Sequence, residues 1–184
     1  MAAPEWLDEG EFRAWIGYRR MRLLLDAEIA RDLMRTSSLS MPDYDVLSVL
    51  MDAPGQRQPL TALAARMLWS KSRLSRHISR MEARGLVVRE EDAADAQRCG
   101  IVLTEKGRQT IIEAAPDHVE SVRRHFIDLL TKDQLRMVGD VAETILNRLP
   151  APADDPETSA SEETSAREPK RAGATLRAPG ARPA

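Results

Sequence analysis

One basic segment of the chain carries the side chains whose types and spacing could do chemistry. Leu74, Ile78 and Met81 recur at the interval that places residues on one buried face of a helix. The polar residues that we expect outside this apolar stripe are Lys71, Ser72, Arg73, Ser75, Arg76, His77 and Arg80. Lysine and arginine neutralise phosphate groups, and arginine can bridge O6 and N7 of guanine. The pattern therefore indicates a helix that binds a polyanion.

The charge distribution of the whole chain supports this interpretation. The 184 residues carry a formal net charge of −2, but the segment from Arg57 to Arg89 holds eight basic residues and one acidic residue, Glu82. Its net charge of +7 leaves −9 for the rest of the chain. A solvated helix face usually mixes both signs, so a concentrated basic stripe on an acidic chain favours the binding of a polyanion.

Two arginines of this segment are candidates for reading bases. We expect Arg73 and Arg76 to contact base edges or groups near them, because arginine makes the most frequent specific contact with guanine. Spacing alone does not decide which of the two reads a base. Lys71, Ser75 and Arg80 are interpreted as phosphate contacts, which position a protein on the duplex without reading its sequence.

Other kinds of site have less support in the sequence. The single cysteine, Cys99, excludes an internal disulfide, and we interpret it as a small buried residue rather than a redox switch. His118 and His125 lie seven residues apart, but zinc needs three or four ligands, so we interpret them as surface or dimer-interface residues. The sequence contains no phosphate-binding loop, dinucleotide-binding glycine pattern or protease zinc motif. We therefore expect neither an enzyme nor a bound cofactor or metal.

Long helices are predicted at both ends of the apolar part of the chain. A broad apolar face recurs over residues 11–35, which is too long a helix to be covered fully by a small domain. A second long helix is predicted from Glu105 to Leu130, with a kink or a break caused by Pro116. Thr131 should begin the last helix.

Shorter helices are predicted between these long ones. Ser40 is a suitable first cap, and a short amphipathic helix follows over residues 60–67. Either Ser70 or Ser72 should begin the basic helix, and Gly85 fits the left-handed position that follows a helix end. The basic helix is thus the second of two short helices joined by a tight turn.

Two β-prone runs come next and complete a recognisable domain. Residues 86–88 and 100–103 flank a polar stretch and predict a two-stranded hairpin with a long tip. Two short helices followed by a hairpin describe a winged helix–turn–helix domain, whose second helix can enter the major groove of DNA. The predicted fold class is therefore mainly α with a small β-hairpin: a winged helix–turn–helix domain plus a helical dimerisation region.

Specific motifs lie in the same segments. They read LSMPDYDVLSVLMDAPG, then LTALAARMLWSKSRLSRHISRMEARGLVVRE and, after the hairpin, IVLTEKG. These segments resemble the MarR family of bacterial transcription regulators, and the resemblance covers about residues 11 to 149. It implies a sequence-specific DNA-binding regulator, typically a repressor, whose first and last helices interlock with those of a second subunit. It also implies a pseudo-palindromic operator and a ligand, often an aromatic acid or a drug, that changes the spacing of the two recognition helices.

The sequence divides into four parts on this interpretation. Residues 1–37 are expected to form an N-terminal dimerisation helix, 38–104 the winged helix–turn–helix domain, and 105–149 the C-terminal dimerisation helices. Residues 150–184 contain six of the eleven prolines and one large aliphatic residue, Leu176. Because such a segment cannot bury enough apolar surface to offset its chain entropy, we expect a disordered tail.

Two further sets of residues are assigned by the resemblance. The wing of the family usually carries Asp-x-Arg, whereas residues 95–98 of this chain read DAQR, one residue longer, and Arg98 is the candidate for a minor-groove contact. Trp15, Tyr44 and Trp69 are the candidates for an aromatic ligand pocket between the dimerisation helices and the DNA-binding lobe.

Two other classes of protein also contain winged helices. Some methyltransferases use one for dimerisation, but they need a catalytic domain downstream. Winged helices that bind other proteins usually lack basic residues on the second helix. The cations between Lys71 and Arg80 therefore argue against a protein-binding module. The N-terminus is no secretory signal, and no run of about 20 apolar residues could cross a membrane. We therefore expect a cytoplasmic homodimer that binds double-stranded DNA and no membrane.

Overall fold

The computed structural model describes residues 5–92 and 95–149, and for residues 91, 92 and 95–99 it describes the backbone alone. The predicted tail, 150–184, lies outside these ranges. Short 3₁₀ turns occur at Pro54–Gln56 and Ile127–Leu129. In chain order, the regular elements are α1 (Glu9–Ser37), α2 (Met41–Asp52), β1 (Arg57–Pro59), α3 (Leu60–Met67), α4 (Lys71–Ala83), β2 (Val87–Asp92), β3 (Asp95–Leu103), α5 (Glu105–His125) and α6 (Lys132–Leu146).

Side-chain caps begin the helices at the predicted residues. The backbone N–H of Asp43 donates to Ser40 Oγ over 3.2 Å, and the carboxylate of Asp43 accepts the N–H of Ser40 over 3.0 Å. This reciprocal pair is a capping box, which satisfies two backbone donors at the start of α2. Ser70, rather than Ser72, caps α4, and Thr131 caps α6. The local signals for helix starts are therefore confirmed.

The wing contains one strand more than the sequence predicts. β3 lies between β1 and β2 in an antiparallel sheet, with Val88 opposite Val102 and Gln58 opposite Ile101. The β2–β3 hairpin confirms the prediction, and β1 is an additional strand that the sequence analysis did not predict. β1 is three residues long, which is too short to show the alternation of polar and apolar residues that marks a strand.

One buried core holds α4 in place. Leu74, Ile78 and Met81 are completely removed from solvent, which confirms the predicted apolar stripe. They share this core with residues of α2, α3, the sheet and α5, namely Val46, Leu47, Leu50, Leu63, Val87, Ile101, Leu103 and Ile111. Because the stripe faces inward, the opposite side of α4 faces solvent.

α5 differs from its prediction at its C-terminal end. The helix continues through the exposed Pro116 without a break, but it ends at His125 rather than Leu130. The backbone of Phe126, with φ of −138° and ψ of −61°, leaves the helical region, and the 3₁₀ turn follows. The apolar residues after His125 therefore continue the hydrophobic pattern without continuing the helix. At its start, α5 approaches the wing so closely that a Cβ at Gly107 would lie 2.0 Å from the carbonyl oxygen of Leu86.

Large apolar side chains remain uncovered on α1 and α6. α1 has 29 residues and packs on α5, but a helix of that length spans about 44 Å, so much of it extends beyond the core. α6 has no buried residue at all. The exposed apolar residues on the two helices include Phe12, Trp15, Ile16, Leu23, Leu24, Val138, Val141 and Ile145. An apolar surface of this extent usually marks an interface with another molecule. The division of the chain at 37, 104 and 149 stays a prediction.

Candidate nucleic-acid interface

The turn between α3 and α4 has a defined geometry. Leu68 adopts a left-handed conformation with φ of 54°, and the next residue, Trp69, donates its backbone N–H to Ala64 O over 3.0 Å. Ser70 Oγ then accepts the N–H of Arg73 over 3.4 Å, which caps α4. The positive end of the α4 dipole therefore lies at the same end of the helix as Lys71 and Arg73, where it favours an anion.

The outer face of α4 is basic and open. Ser72, Arg73, Arg76 and Arg80 are exposed, as predicted, while Lys71 and Ser75 are half-buried. Among the carboxylates whose side chains the structure describes, none has an oxygen within 4.0 Å of the guanidinium groups of Arg73, Arg76 or Arg80. These three cations can therefore approach a phosphate or a base edge without first breaking an ion pair.

Other cations of the basic stripe have structural partners. The guanidinium of Arg84 bonds the carboxylate of Asp43 over 2.8 Å, and that of Arg89 pairs with Glu82 at 3.4 Å. Arg57 lies 3.6 Å from Glu90. The sequence assigned all of these residues to one electrostatic surface, but the structure uses part of the set to hold the domain together.

Ser75, a predicted phosphate contact, also has a structural role. Its backbone oxygen accepts a hydrogen bond from Arg89 Nη2 over 2.9 Å, and its hydroxyl oxygen accepts from the same nitrogen over 3.2 Å. Arg89 Nη2 also donates to Ser79 Oγ over 3.2 Å, so β2 is connected to the middle of α4. The hydroxyl hydrogen of Ser75 is still able to donate.

The structure corrects the position of His77. The sequence placed His77 on the outer face, but its ring is buried, with 6% of the residue exposed. It contacts Trp69 edge-on, with ring centroids 5.4 Å apart, and its Nε2 lies 3.2 Å from Asp43 Oδ1. The position explains the error, because residue 77 follows Leu74 by three and precedes Met81 by four, which places it on the apolar face. The prediction that His77 lies on the outer face of α4 is therefore wrong, and its burial opposes a direct DNA contact.

Polar and charged groups surround the buried ring of His77. Arg80 Nη2 lies 3.0 Å from His77 Nδ1, and since arginine can only donate, Nδ1 accepts and Nε2 carries the hydrogen. Burial lowers the pKa of His77; the carboxylate of Asp43 opposes this shift, and nearby arginines add to it. Burial raises the pKa of Asp43, but hydrogen bonds from Arg84 and Ser40 outweigh it and hold that pKa below its usual value.

The predicted wing contact has no side-chain description. Arg98 belongs to β3, but its side chain lies outside the part of the chain that the structure describes. Its contact with the minor groove stays a prediction. The same holds for the interpretation of Cys99.

The structure does not bring the three candidate ligand residues together. Trp15 is half-exposed on α1 and stacks on Tyr18 at 6.1 Å. Tyr44 is buried on α2, where its ring lies 4.2 Å from that of His118. Trp69 lies in the turn before α4 and contacts His77 and Arg73. The three rings therefore lie in different environments and do not line one pocket.

A cavity lies elsewhere, between α1 and the end of α5. It measures about 320 Å³ and is mainly apolar. Its lining residues are Met21, Leu24, Leu25, Glu28, His125, Phe126, Leu129 and Leu130. The size is within the range of small-molecule sites, and Glu28 and His125 supply the polar groups that such sites use for orientation.

His118 and His125 are not two surface residues on one face. His118 is buried against Tyr44, and its Nδ1 has no hydrogen-bond partner in the described part of the chain. His125 lies by α1, with Nε2 2.9 Å from Asp32 Oδ2. Asp32 also accepts hydrogen bonds from Ser121 and Arg124, and these contacts hold the pKa of Asp32 well below its usual range. They tie α1 to α5.

The described residues form neither a metal site nor a membrane-spanning helix. Among the side chains that the structure describes, those of residues 5–90 and 100–149, no three histidine, cysteine, aspartate or glutamate groups are arranged to hold a metal ion. In the same ranges, no helix is both long enough and apolar enough to cross a membrane.

The arrangement of these elements defines a winged helix–turn–helix DNA-binding protein. The sequence pattern of the MarR family matches residues 37–98, which run from the end of α1 into β3. The transcriptional regulator HosA of Escherichia coli is 31% identical over 130 residues, which cover 71% of this chain and 94% of HosA.

Two solved structures agree with this finding. AbsC of Streptomyces coelicolor, a MarR family transcriptional regulator, is 38% identical with a TM-score of 0.74, over 78% of this chain and 97% of AbsC. Sco3205, a MarR family regulator of the same organism solved in complex with DNA, is 31% identical with a TM-score of 0.77, over 83% and 96% of the two chains. The chain therefore belongs to the MarR family. It is a DNA-binding transcription regulator and not an enzyme.

Burial of His118 predicts acid sensitivity of the fold. Because burial lowers its pKa, the folded state binds a proton less readily than the unfolded state. The stability that neutral His118 contributes is complete above about pH 6.5 and is lost as the pH falls below that value toward the folded-state pKa. We expect the thermal midpoint to fall less between about pH 7.5 and about pH 5.5 in His118→Phe than in the wild type, because phenylalanine can stack on Tyr44 without titrating. Equal pH dependence of both proteins, measured by circular dichroism, would show that His118 does not titrate in this range.

Proposed function

We propose that the protein is a homodimeric repressor that binds a pseudo-palindromic operator through α4 and the wing. The observation that carries this proposal is the open face of Arg73, Arg76 and Arg80 on a helix that is anchored from behind by a buried apolar stripe. Such a helix presents its charges in a fixed direction, which the major groove of DNA can accept. As a transcription regulator, the protein would act in the cytoplasm.

The solvent exposure of each side chain on α4 indicates which part of the DNA it would contact. Arg73 and Arg76 are the candidates for base contacts, since their guanidinium groups are exposed in the half of α4 nearest its N-terminus. Arg80, together with Lys71, Ser72 and Ser75, would contact phosphates, and Arg98 would reach the minor groove from the wing.

The exposed apolar faces of α1 and α6 support the homodimer. Val141 and Ile145 are 52% and 51% exposed, and they lie on one face of α6. A second copy of the chain would cover this face and the matching face of α1, as a two-fold symmetric interface requires. Two recognition helices related by such an axis would meet two half-sites of an operator.

We infer that the effector is a small aromatic acid or phenol bound in the cavity between α1 and α5. The apolar lining with Leu25 and Phe126 suits an aromatic ring, and His125 adds a polar edge to the lining. This cavity replaces the pocket predicted from Trp15, Tyr44 and Trp69. The ligand would reach DNA binding through α1 and α5, which the Asp32 contacts hold together.

Arg76→Ala tests the assignment of the recognition helix. We expect it to weaken binding by about 1–3 kcal/mol, because the contact of one arginine with a base is lost. The measurement is fluorescence anisotropy on an operator recovered by selection from random-sequence duplexes. Arg136→Ala, which removes an exposed arginine from α6, is the matched control and should bind like the wild type. Equal affinities of the two variants would contradict the assignment, as would wild-type binding that does not weaken with salt.

Ile145→Asp tests the dimer. A carboxylate on the apolar face of α6 would have to be buried in the interface, so we expect this variant to sediment as a monomer and to lose operator affinity. Asn147→Asp introduces the same group on the opposite face of the helix end and should remain a dimer. A wild-type protein that is monomeric at micromolar concentration, or two variants that behave alike, would contradict the proposed interface.

Leu25→Trp tests the effector site. A tryptophan at this position should fill part of the cavity, so it should remove the thermal stabilisation produced by any aromatic acid or phenol that binds there. The same compound should weaken operator binding by the wild-type protein. Trp substitution of the exposed Leu146 on α6, away from the cavity, is the control. Stabilisation that persists in Leu25→Trp would place the ligand elsewhere.

A further inference from the structure

We propose that Trp69 is a positioning residue that fixes the guanidinium of Arg73 for its contact with DNA. This inference rests on the proposed function, since it assumes that Arg73 contacts DNA. Its starting observation is a stacking contact: Arg73 Cζ lies 4.0 Å from the centroid of the Trp69 ring. At this distance the cation is attracted by the face of the indole. Arg73 nevertheless remains exposed, so its donors are available to a ligand.

The indole itself is held from several sides. Its backbone is fixed by the left-handed Leu68 and by the hydrogen bond to Ala64. Its side chain packs against the buried core, and the ring of His77 meets it at an interplanar angle of 85°. A ring held in this way is a rigid surface on which a flexible side chain can be ordered.

The other members of the cluster extend this support into the domain. His77 Nε2 lies 3.2 Å from Asp43 Oδ1, and Asp43 is held by Arg84 and Ser40. The cluster of Trp69, His77 and Asp43 thus connects the surface of α4 to α2. His77 supports the stacking contact of Arg73 by packing edge-on against the Trp69 ring.

The three exposed arginines of α4 differ in whether a neighbouring ring holds the side chain in place. Arg73 is ordered by Trp69, and Arg80 donates to His77, whereas Arg76 has neither contact within the described residues. A free arginine loses side-chain entropy when it binds, and an arginine that is already ordered loses less. Trp69 should therefore raise the affinity that depends on Arg73 and leave the contribution of Arg76 unchanged.

The experiment is a pair of double-mutant cycles on operator affinity. Trp69→Leu keeps an apolar side chain for the core but removes the aromatic face, and Trp69→Phe keeps both. We expect Trp69→Leu to weaken operator binding by about threefold to thirtyfold, and Trp69→Phe to restore most of the loss. In the Arg73→Ala background, Trp69→Leu should cause no further loss of operator affinity. In the Arg76→Ala background, the fold losses of affinity caused by the two substitutions should multiply. Binding to an unrelated duplex should change less than operator binding.

The outcomes separate this inference from the proposed function. If Arg73→Ala and Arg76→Ala both leave operator binding unchanged, the proposed interface is wrong and the inference falls with it. If Arg73→Ala weakens binding but its effect multiplies with that of Trp69→Leu, the interface stands and the positioning role is overturned. A failure of Trp69→Phe to restore binding, with its thermal midpoint at the wild-type value, also overturns it. Should Trp69→Leu unfold, the same cycles are measured with Trp69→Met, which again lacks the aromatic face, and are judged by the same outcomes.

Discussion

The burial of one stripe of α4 determines the direction in which the charges of that helix point. Leu74, Ile78 and Met81 are fully buried, and exposing any one of them would cost about 1.5–3 kcal/mol. The helix therefore cannot turn about its own axis without a large loss of stability. Arg73 and Arg76 face outward for this reason, although none of the acidic side chains that the structure describes pairs with them. The DNA-facing surface is thus a consequence of packing on the opposite side.

Electrostatic partners divide the basic residues into two groups. Arg57, Arg84 and Arg89 pair with acidic residues and hold the wing, α2 and α4 together. The exposed arginines of α4 are the group that a polyanion can meet. The net charge of the segment therefore overstates the charge that is available for binding. A sequence count cannot make this distinction, because Asp43 and Arg84, which form one of these pairs, are 41 positions apart.

The features that the sequence predicted correctly depend on neighbouring residues. The caps at Ser40 and Thr131 act over three positions, and the stripe of α4 repeats within one helix. The features that the sequence analysis missed depend on contacts between residues that are far apart in the sequence. β1 exists because β3 pairs with it, and His118 is buried because Tyr44 of α2 packs against it. For His77 two local signals conflict: its spacing from Leu74 and Met81 places it on the apolar face, whereas its polarity favours the outer face, and in the structure the spacing prevails.

The left-handed Ser38, with φ of 57°, ends α1 and turns the chain toward α2. At this corner the guanidinium of Arg84 bonds Ser38 O over 3.3 Å as well as the carboxylate of Asp43. One side chain at the end of α4 thus contacts both sides of the corner. The C-terminal ends of α1 and α4 therefore meet the first turn of α2 at a single guanidinium group.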